Sequence, residues 1–357
     1  MPKSDKRPRF SIVIPVYNGG RSMSRSLRSV LGQDFQDFEV LVVDDGSTDN
    51  TAAIACEWSR KDRRISLMQH ERNLGLSAGR VSGIKAATGE YVGFIDCGDT
   101  IEPGVLSALD RRICSGGFDV VTGYIYLSFR KLHRKYPYIN RALAYIERPQ
   151  PGEEGYNYSL LKLMLRGDFS TSVFDKFYRR DFLTGHPLIP VEWFCGEDFD
   201  FSVHYIPLAA SVLETDIFIY NWEFSGLDSK YYVDCWDQYE KSISYAIERI
   251  HELFAPDPEK EAESLRCLAH RYHNALISGT VHRSFWSCRR SRKRIFLTGV
   301  AERSAVFARL KNFIPELSGC KSSREITECV LKNSRRHARR HRKSLIATRL
   351  LSALFGG

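Results

Sequence analysis

A chain of 357 residues with 43% hydrophobic and 27% charged side chains is long enough for a sizeable core and more than one domain. That composition excludes disordered and fibrous classes, and the lack of any run of about 18 uncharged apolar residues argues against a spanning helix. The net charge of +9 gathers towards the C-terminus, in Arg289-Arg290, Arg292-Lys293-Arg294, Arg335-Arg336, Arg339-Arg340 and Arg342-Lys343.

The elements follow in chain order. After a basic opening, Met1 to Arg9, the apolar run Phe10 to Val16 is too short for the apolar region of a secretion signal. It reads as a first strand, closed by Pro15 and Tyr17-Asn18, and no secretion signal is expected. Met23, Leu27, Val30 and Leu31 recur at helical spacing. Phe38 to Val43 is a second strand, and Ser47, Thr48 and Asp49 offer caps for a helix carrying Ala52, Ile54, Ala55 and Trp58. Ile65 to Met68 is a third strand; Ser77 would cap a helix running to about Ala87. Tyr91 to Ile95 is a fourth, apolar throughout as a strand covered on both faces should be. Successive strand–helix units imply parallel pairing with right-handed crossovers.

The pattern then loosens. A helix after Pro103 carries Val105, Leu106 and Leu109, and Phe118 to Leu127 reads as a strand. Arg130 to Gly155 is basic, irregular and rich in Tyr and Pro, expected to be a mobile loop or an acceptor-facing insertion. Ser172 to Tyr178 and Val212 to Trp222 read as strands, with a helix from Phe199 to Leu208 between them. From about Asp234 the chain reads as helical, with Tyr239, Ile243, Ala246 and Ile250 on one face. The nine cysteines are scattered without a CxxC spacing, which predicts reduced thiols and no structural zinc.

Chemistry concentrates in three acidic clusters. Asp44-Asp45-Gly46-Ser47 follows the second strand, Asp96-Cys97-Gly98-Asp99 the fourth, and Glu197-Asp198 comes about a hundred residues later. Carboxylates past the C-terminal ends of buried strands face the crevice where open α/β sheets bind ligands. Such groups suit a divalent cation, a polyphosphate and a general base. Taken singly, each cluster reads equally as a turn or a helix cap.

The clusters sit within a longer series. Ser11-Ile12-Val13-Ile14-Pro15-Val16-Tyr17-Asn18, Asp44-Asp45-Gly46-Ser47-Thr48-Asp49, Asn73 to Arg80, Thr88-Gly89-Glu90-Tyr91, Ser172 to Arg180, Gly196-Glu197-Asp198-Phe199 and Tyr220-Asn221-Trp222-Glu223 occur in order. This series resembles the family 2 inverting glycosyltransferases of GT-A fold, of the bacterial capsule and exopolysaccharide type, over roughly residues 10 to 230. The resemblance implies an α/β GT-A domain, Rossmann-like with a mixed sheet, over residues 1–230. Its nucleotide-binding half would span about 10–125 and its acceptor half about 126–230. A mainly helical region with a basic tail would occupy residues 231–357.

The resemblance further implies transfer of a hexose or N-acetylhexosamine from a UDP-sugar to a saccharide or lipid-linked acceptor in surface polysaccharide synthesis. Pro15, Tyr17, Asp45, Arg80 and Asp96 would bind the nucleotide-sugar, with the Arg80 guanidinium suited to a bidentate grip on diphosphate. Asp96 and Asp99 would hold Mg²⁺ or Mn²⁺, and Asp198 would act as base with Glu197 orienting it or the acceptor. One departure stands out: Gly98 occupies a position where the family usually has a carboxylate that reaches the metal.

His186 and His204 read as structural, while Trp193, Phe194, Tyr220 and Trp222 are either core aromatics or sugar-stacking rings. The run Arg335 to Lys343, followed by Leu345, Ile346, Leu350, Leu351, Leu354 and Phe355, suggests a peripheral anchor on an anionic membrane surface. Equally, it is a solvated helix. The expected location is cytoplasmic, at the inner face of the plasma membrane if the tail anchors; no nucleic-acid module accompanies the basic patch. Two other classes remain open: a degenerate protein that binds nucleotide-sugar or glycan without turnover, which Gly98 favours, and a nucleotidyltransferase, disfavoured by the short Tyr17-Asn18-Gly19-Gly20-Arg21 loop.

Overall fold

The computed structural model describes residues 7–114, 116–129, 134–138, 151–153, 155–189, 196–223, 235–281 and 290–340. Two compact units divide the chain. Met1–Leu160 with Ser170–Phe224 forms one, and Leu161–Phe169 with Ser225–Gly357 the other.

The first unit is built on a nine-stranded mixed sheet. Its strands are β1 (Phe10–Val16), β2 (Phe38–Asp44), β3 (Ile65–Gln69), β4 (Tyr91–Phe94), β5 (Thr100–Ile101), β6 (Val120–Phe129), β7 (Arg134–Tyr138), β8 (Lys176–Arg179) and β9 (Val212–Glu223). They run in the order β3-β2-β1-β4-β8-β6-β9-β5, with β7 paired to β6. The expected parallel pairing holds for β3, β2, β1 and β4. Beyond β4 it fails: β8 is antiparallel to both β4 and β6, and β9 is parallel to β6 but antiparallel to β5.

Helices α1 (Met23–Leu31), α2 (Thr51–Lys61), α3 (Leu76–Ala86) and α4 (Val105–Ile113) return the chain between strands. Every residue of β1 is buried, which is why its sequence does not alternate. Met23, Leu27 and Val30 of α1 join Phe10, Ile12 and Ile14 in the same core. On the other side α3 packs on β1 and β2. It comes close because Gly83 has no side chain: a Cβ there would stand 2.2 Å from Val13 Cγ1. Two caps differ from expectation. Asn50, not Ser47 or Thr48, precedes α2, although Asp49 Oδ1 accepts the Thr51 N–H at 2.9 Å. Gly75 precedes α3, and Ser77 is buried inside its first turn.

Parallel register aligns the strand ends. Val16 sits beside Asp44, and Phe94 beside Val13. Asp44-Asp45 and Asp96 therefore leave the sheet at the same edge.

The stretch expected to be irregular contains β7, antiparallel to β6 from Ile125↔Tyr138 to Phe129↔Arg134. Pro137 hid it, since proline is compatible with strands chiefly at an edge. The remainder of that stretch lies largely outside the described residues. Helices α5 (Tyr156–Arg166), α6 (Arg180–Thr184) and α7 (Glu197–Tyr205) complete the first unit, except that α5 passes into the second unit after Leu160. That division differs from the expected single boundary at residue 230. Lys162 pairs with Glu263 at 2.9 Å, and Leu161 and Met164 are fully buried, so residues 161–169 belong with the helices.

Those helices are α8 (Trp236–Phe254), α9 (Pro258–Val281), α10 (Arg290–Arg303), α11 (Ala305–Leu310) and α12 (Ser323–Arg340). Ile243, Ala246 and Ile250 of α8 are fully buried, as their spacing predicts. Tyr272 Oη and Ser304 Oγ both donate to Glu240 Oε1, at 2.5 and 2.6 Å, which ties α8, α9 and the start of α11 together. Among the described residues no helix is long and apolar enough to cross a membrane. Residues 341–357, the apolar half of the expected anchor, lie outside the described residues.

Candidate active site

The site is organised around Arg80. The resemblance implied a diphosphate clamp at Arg80; the residue is 1% exposed. Its Nη1 donates to Asp198 Oδ1 at 2.5 Å and its Nη2 to Asp96 Oδ1 at 3.2 Å. One buried guanidinium on α3 thus joins the end of β4 to the first turn of α7. Both terminal nitrogens already serve carboxylates. Burial opposes the Arg80 charge, but Asp198, Asp96 and Glu197 more than offset it and push the guanidinium further towards its charged form.

Asp198 and Glu197 open α7 behind Gly196. A helix N-terminus favours anions, and it also fixes the direction of their side chains. Burial, then repulsion from Asp198, pushes Glu197 up to about 8 against the pull of Arg80. Burial likewise raises Asp96, with Asp198 adding to it and Arg80 opposing. At neutral pH Glu197 is therefore a proton donor beside its neighbour.

This has a measurable consequence for stability. The folded state keeps a proton that the unfolded chain releases above the ordinary value of 4.5, so Glu197 makes native stability decline as pH rises from 4.5 to about 8. Glu197→Gln is expected to remove that decline and to be more stable than the wild type at pH 9 by about 4–5 kcal/mol, while the two approach one another at pH 5. Urea unfolding at the two pH values checks this; parallel curves would show that Glu197 is ionised in the fold.

The turn Asp96-Cys97-Gly98-Asp99 is held from below. Tyr220 Oη accepts the Asp96 N–H at 3.0 Å and donates to Asp99 Oδ2 at 2.7 Å. Asp99 Oδ1 accepts the Glu223 N–H at 2.8 Å. Asp99, expected to share a cation with Asp96, instead has both oxygens engaged by the fold, and burial pushes it up to about 7. Gly98 has φ +107°, a left-handed backbone that disfavours any L side chain. Its N–H donates to Ser26 Oγ at 2.9 Å and its carbonyl accepts from Arg25 Nη2. A Cβ at Gly98 would point at the start of α1, 3.3 Å from Ser22 Cβ and 3.6 Å from Arg25 Nη2. Among the described residues no three His, Cys, Asp or Glu side chains converge on one point. Asp96 has Oδ1 on Arg80 Nη2 and its side chain is 31% exposed.

The nucleotide side is equally braced. Asp45 Oδ1 accepts the Leu74 N–H at 2.9 Å and lies 2.7 Å from His70 Nδ1; Oδ2 accepts the Gly75 N–H at 2.7 Å. Asp45 thus fixes the loop leading into α3 and, through it, Arg80. Asn18 Oδ1 accepts the Thr48 N–H at 2.9 Å, which laces the loop after β1 to the loop after β2. Beside that lacing Tyr17 is 48% exposed, a free ring face at the strand edge. Pro15 is buried against α3, where a Cβ on Gly79 would meet its Cβ at 3.0 Å.

Sequence reasoning missed Tyr220, Ser26 and Arg25 as supports of the turn, and the buried pair Lys176–Asp175 at 2.6 Å beneath Asp198's field. Nothing local marks Ser26 or Arg25; Tyr220 stood in a motif but was read only as an aromatic. His186 and His204 accept structural roles, with ring nitrogens 2.7 Å from Phe182 O and 3.1 Å from Pro187 O. Trp193 and Phe194 lie outside the described residues.

A four-strand parallel edge with carboxylates at its C-terminal ends, continued by antiparallel strands and a carboxylate-headed helix, defines the GT-A class of α/β transferase folds. Residues 11–183 match the family described as Glycosyl transferase family 2. EpsH of Bacillus subtilis (strain 168), named a putative glycosyltransferase, is 29% identical over 229 residues, which is 63% of this chain and 64% of EpsH. The glycosyltransferase GlyG of Streptococcus pneumoniae serotype 4 is 32% identical over 117 residues, 33% of this chain and 39% of GlyG. The chain therefore covers less than two thirds of these relatives. Among solved structures, S. aureus TarS 1-349 shares the fold with a TM-score of 0.61 at 23% identity, covering 92% of both chains. The same TarS segment has been solved with UDP-GlcNAc, at a TM-score of 0.59 and 21% identity, again with 92% of both chains covered.

Proposed function

We propose that the chain transfers a hexose or N-acetylhexosamine from a UDP-sugar, with inversion, to a saccharide or lipid-linked acceptor in surface polysaccharide synthesis. The observation that carries this reading is the Asp96–Arg80–Asp198 bridge, which joins the donor-side strand edge to a carboxylate suited to act as base. The binding of UDP-GlcNAc by TarS supports the choice of donor.

The uracil and ribose would lie along the strand edge formed by Pro15, Tyr17 and the Asp45-braced loop. Asp198 takes the proton of an acceptor hydroxyl as that oxygen attacks the anomeric carbon, and the bond to UDP breaks on the opposite face. Protonated Glu197 donates to the acceptor or to Asp198. Arg80 keeps Asp198 aimed, and preorganised charge of this kind acts without reorganising during the reaction.

A divalent cation suits Asp96 together with diphosphate oxygens, the arrangement Mg²⁺ commonly takes with one or two carboxylates, and would neutralise the leaving UDP. Asp99 and position 98 contribute nothing to it. Mn²⁺ is therefore expected to bind weakly or not at all without nucleotide, and at least tenfold more tightly once UDP is present. Asp96→Asn should abolish that gain and Asp99→Asn should keep it. Calorimetric titration of Mn²⁺ with and without UDP checks this; tight binding to the free protein would place the ion elsewhere.

The reading as a whole is tested by UDP release from a panel of UDP-sugars. UDP binding without release from any of them would favour the non-catalytic alternative, which the missing carboxylate at Gly98 makes specific. Pyrophosphate as product would favour a nucleotidyltransferase. Attachment through the basic tail to an anionic inner-leaflet surface belongs to the same proposal and rests on sequence alone.

A further inference from the structure

The sheet face that supports the carboxylate turn does not end there. Tyr220 is fully buried under that turn, and Ile125 lies beside it in β6 at 5% exposure. Two residues further along the same strands, on the same face, stand Trp222 and Leu127. Leu127 is in turn paired with Tyr136 of β7. The row Trp222–Leu127–Tyr136 thus crosses three adjacent strands, and its outer rings are 38% and 45% exposed.

Solvent-exposed large apolar side chains are few among the described residues, and two of them are members of this one row. The Tyr136 ring is fixed edge-on against Phe129 at 5.7 Å, with buried Phe129 on its inner side. The opposite face of these strands is already claimed: Tyr126 stacks on Phe218 at 4.1 Å, and Lys135 lies over Tyr126 while pairing with Glu102. Glu223, next to Trp222, donates its N–H to Asp99. The row therefore begins one residue from the backbone N–H that braces the turn carrying Asp96.

We propose that Trp222, Leu127 and Tyr136 form the platform on which the saccharide part of the acceptor lies. The proposal rests on the transferase reading above. Aromatic faces meet the C–H faces of pyranose rings while sugar hydroxyls stay in water, which suits rings that are half exposed. Strand spacing sets the two rings roughly 10 Å apart, a span for successive sugar units rather than a single one. A lipid tail or a nucleotide would call for a deeper apolar cleft or for cations, and this row supplies neither.

The test uses the full chain on an array of bacterial surface oligosaccharides, with UDP affinity measured on the same preparations. Trp222→Ala and Tyr136→Ala are each expected to weaken retention of the glycans bound by the wild type about tenfold, and Trp222→Phe to keep most of it. UDP affinity should change less than twofold in all three, which also reports intact folding. Retention unchanged in both alanine variants, or no glycan retained by a wild type that binds UDP, overturns the platform alone. A wild type that neither binds UDP nor releases it from any UDP-sugar overturns the transferase reading instead.

Discussion

Asp198→Asn is expected to lower the rate of sugar transfer by about 10²–10⁴-fold with little change in UDP affinity. The amide keeps the shape of the side chain and one oxygen, which can still accept from Arg80 Nη1 as Asp198 Oδ1 does. The α7 N-terminus keeps its geometry, and Asn serves there nearly as well as Asp. What disappears is the capacity to take a proton. The comparison with Glu197→Gln is informative because Glu197 is already protonated at neutral pH, with burial as the main cause. If Glu197 only orients, its amide variant should lose much less turnover. Steady-state rates of UDP release, with UDP affinity measured alongside, separate the outcomes. Turnover near the wild-type level in Asp198→Asn would remove Asp198 from its role, and a larger loss in Glu197→Gln would transfer that role to its neighbour.

Arg80→Met should damage the fold as well as the chemistry. The substitution fills much of the same space but leaves Asp96 and Asp198 facing one another without a cation. Removing one partner of a buried ion pair costs about 3–5 kcal/mol. The carboxylates are 31% and 25% exposed, and water screens part of their charge, so the lower end is the better expectation. Arg80→Lys should recover little, because an ammonium cannot present two divergent N–H groups to two carboxylates as a guanidinium does. Urea unfolding at pH 7 provides the measurement. The double variant Arg80→Met/Asp198→Asn should regain part of the loss, since it removes one of the uncompensated charges. Wild-type stability in Arg80→Met would mean that the bridge positions Asp198 without contributing to the fold.

Legibility varied along the chain for physical reasons. Strands β1 to β4 are short and separated by helices, and β1, β2 and β4 are covered on both faces, so composition alone marked them. β7 was invisible because Pro137 and four basic or aromatic neighbours do not resemble a covered strand, and because β6 supplies its pairing from outside. The order of β8, β6 and β9 was likewise hidden, since antiparallel returns arise from pairings between segments tens of residues apart. The division of α5 between two units depends on burial of Leu161 and Met164, which periodicity cannot assign to one partner or another.

The site shows the same split more sharply. By itself, the amino-acid sequence determined which residue types could do chemistry and in what order they come, because strand ends, turn residues and helix starts are local features. It also exposed the absent carboxylate at Gly98. Only the tertiary structure decided which of these groups face a ligand and which face the protein. Asp45 and Asp99 look alike in the sequence to Asp96, yet backbone N–H groups of Leu74, Gly75 and Glu223 engage the first two while Asp96 stays half open. Arg80, 16 residues before Asp96 and 118 before Asp198, became the centre of the site because both carboxylates converge on one buried guanidinium. A carboxylate's partner is set by distance in space, and for these groups that distance is closed by strand pairing and helix packing rather than by neighbours in the chain.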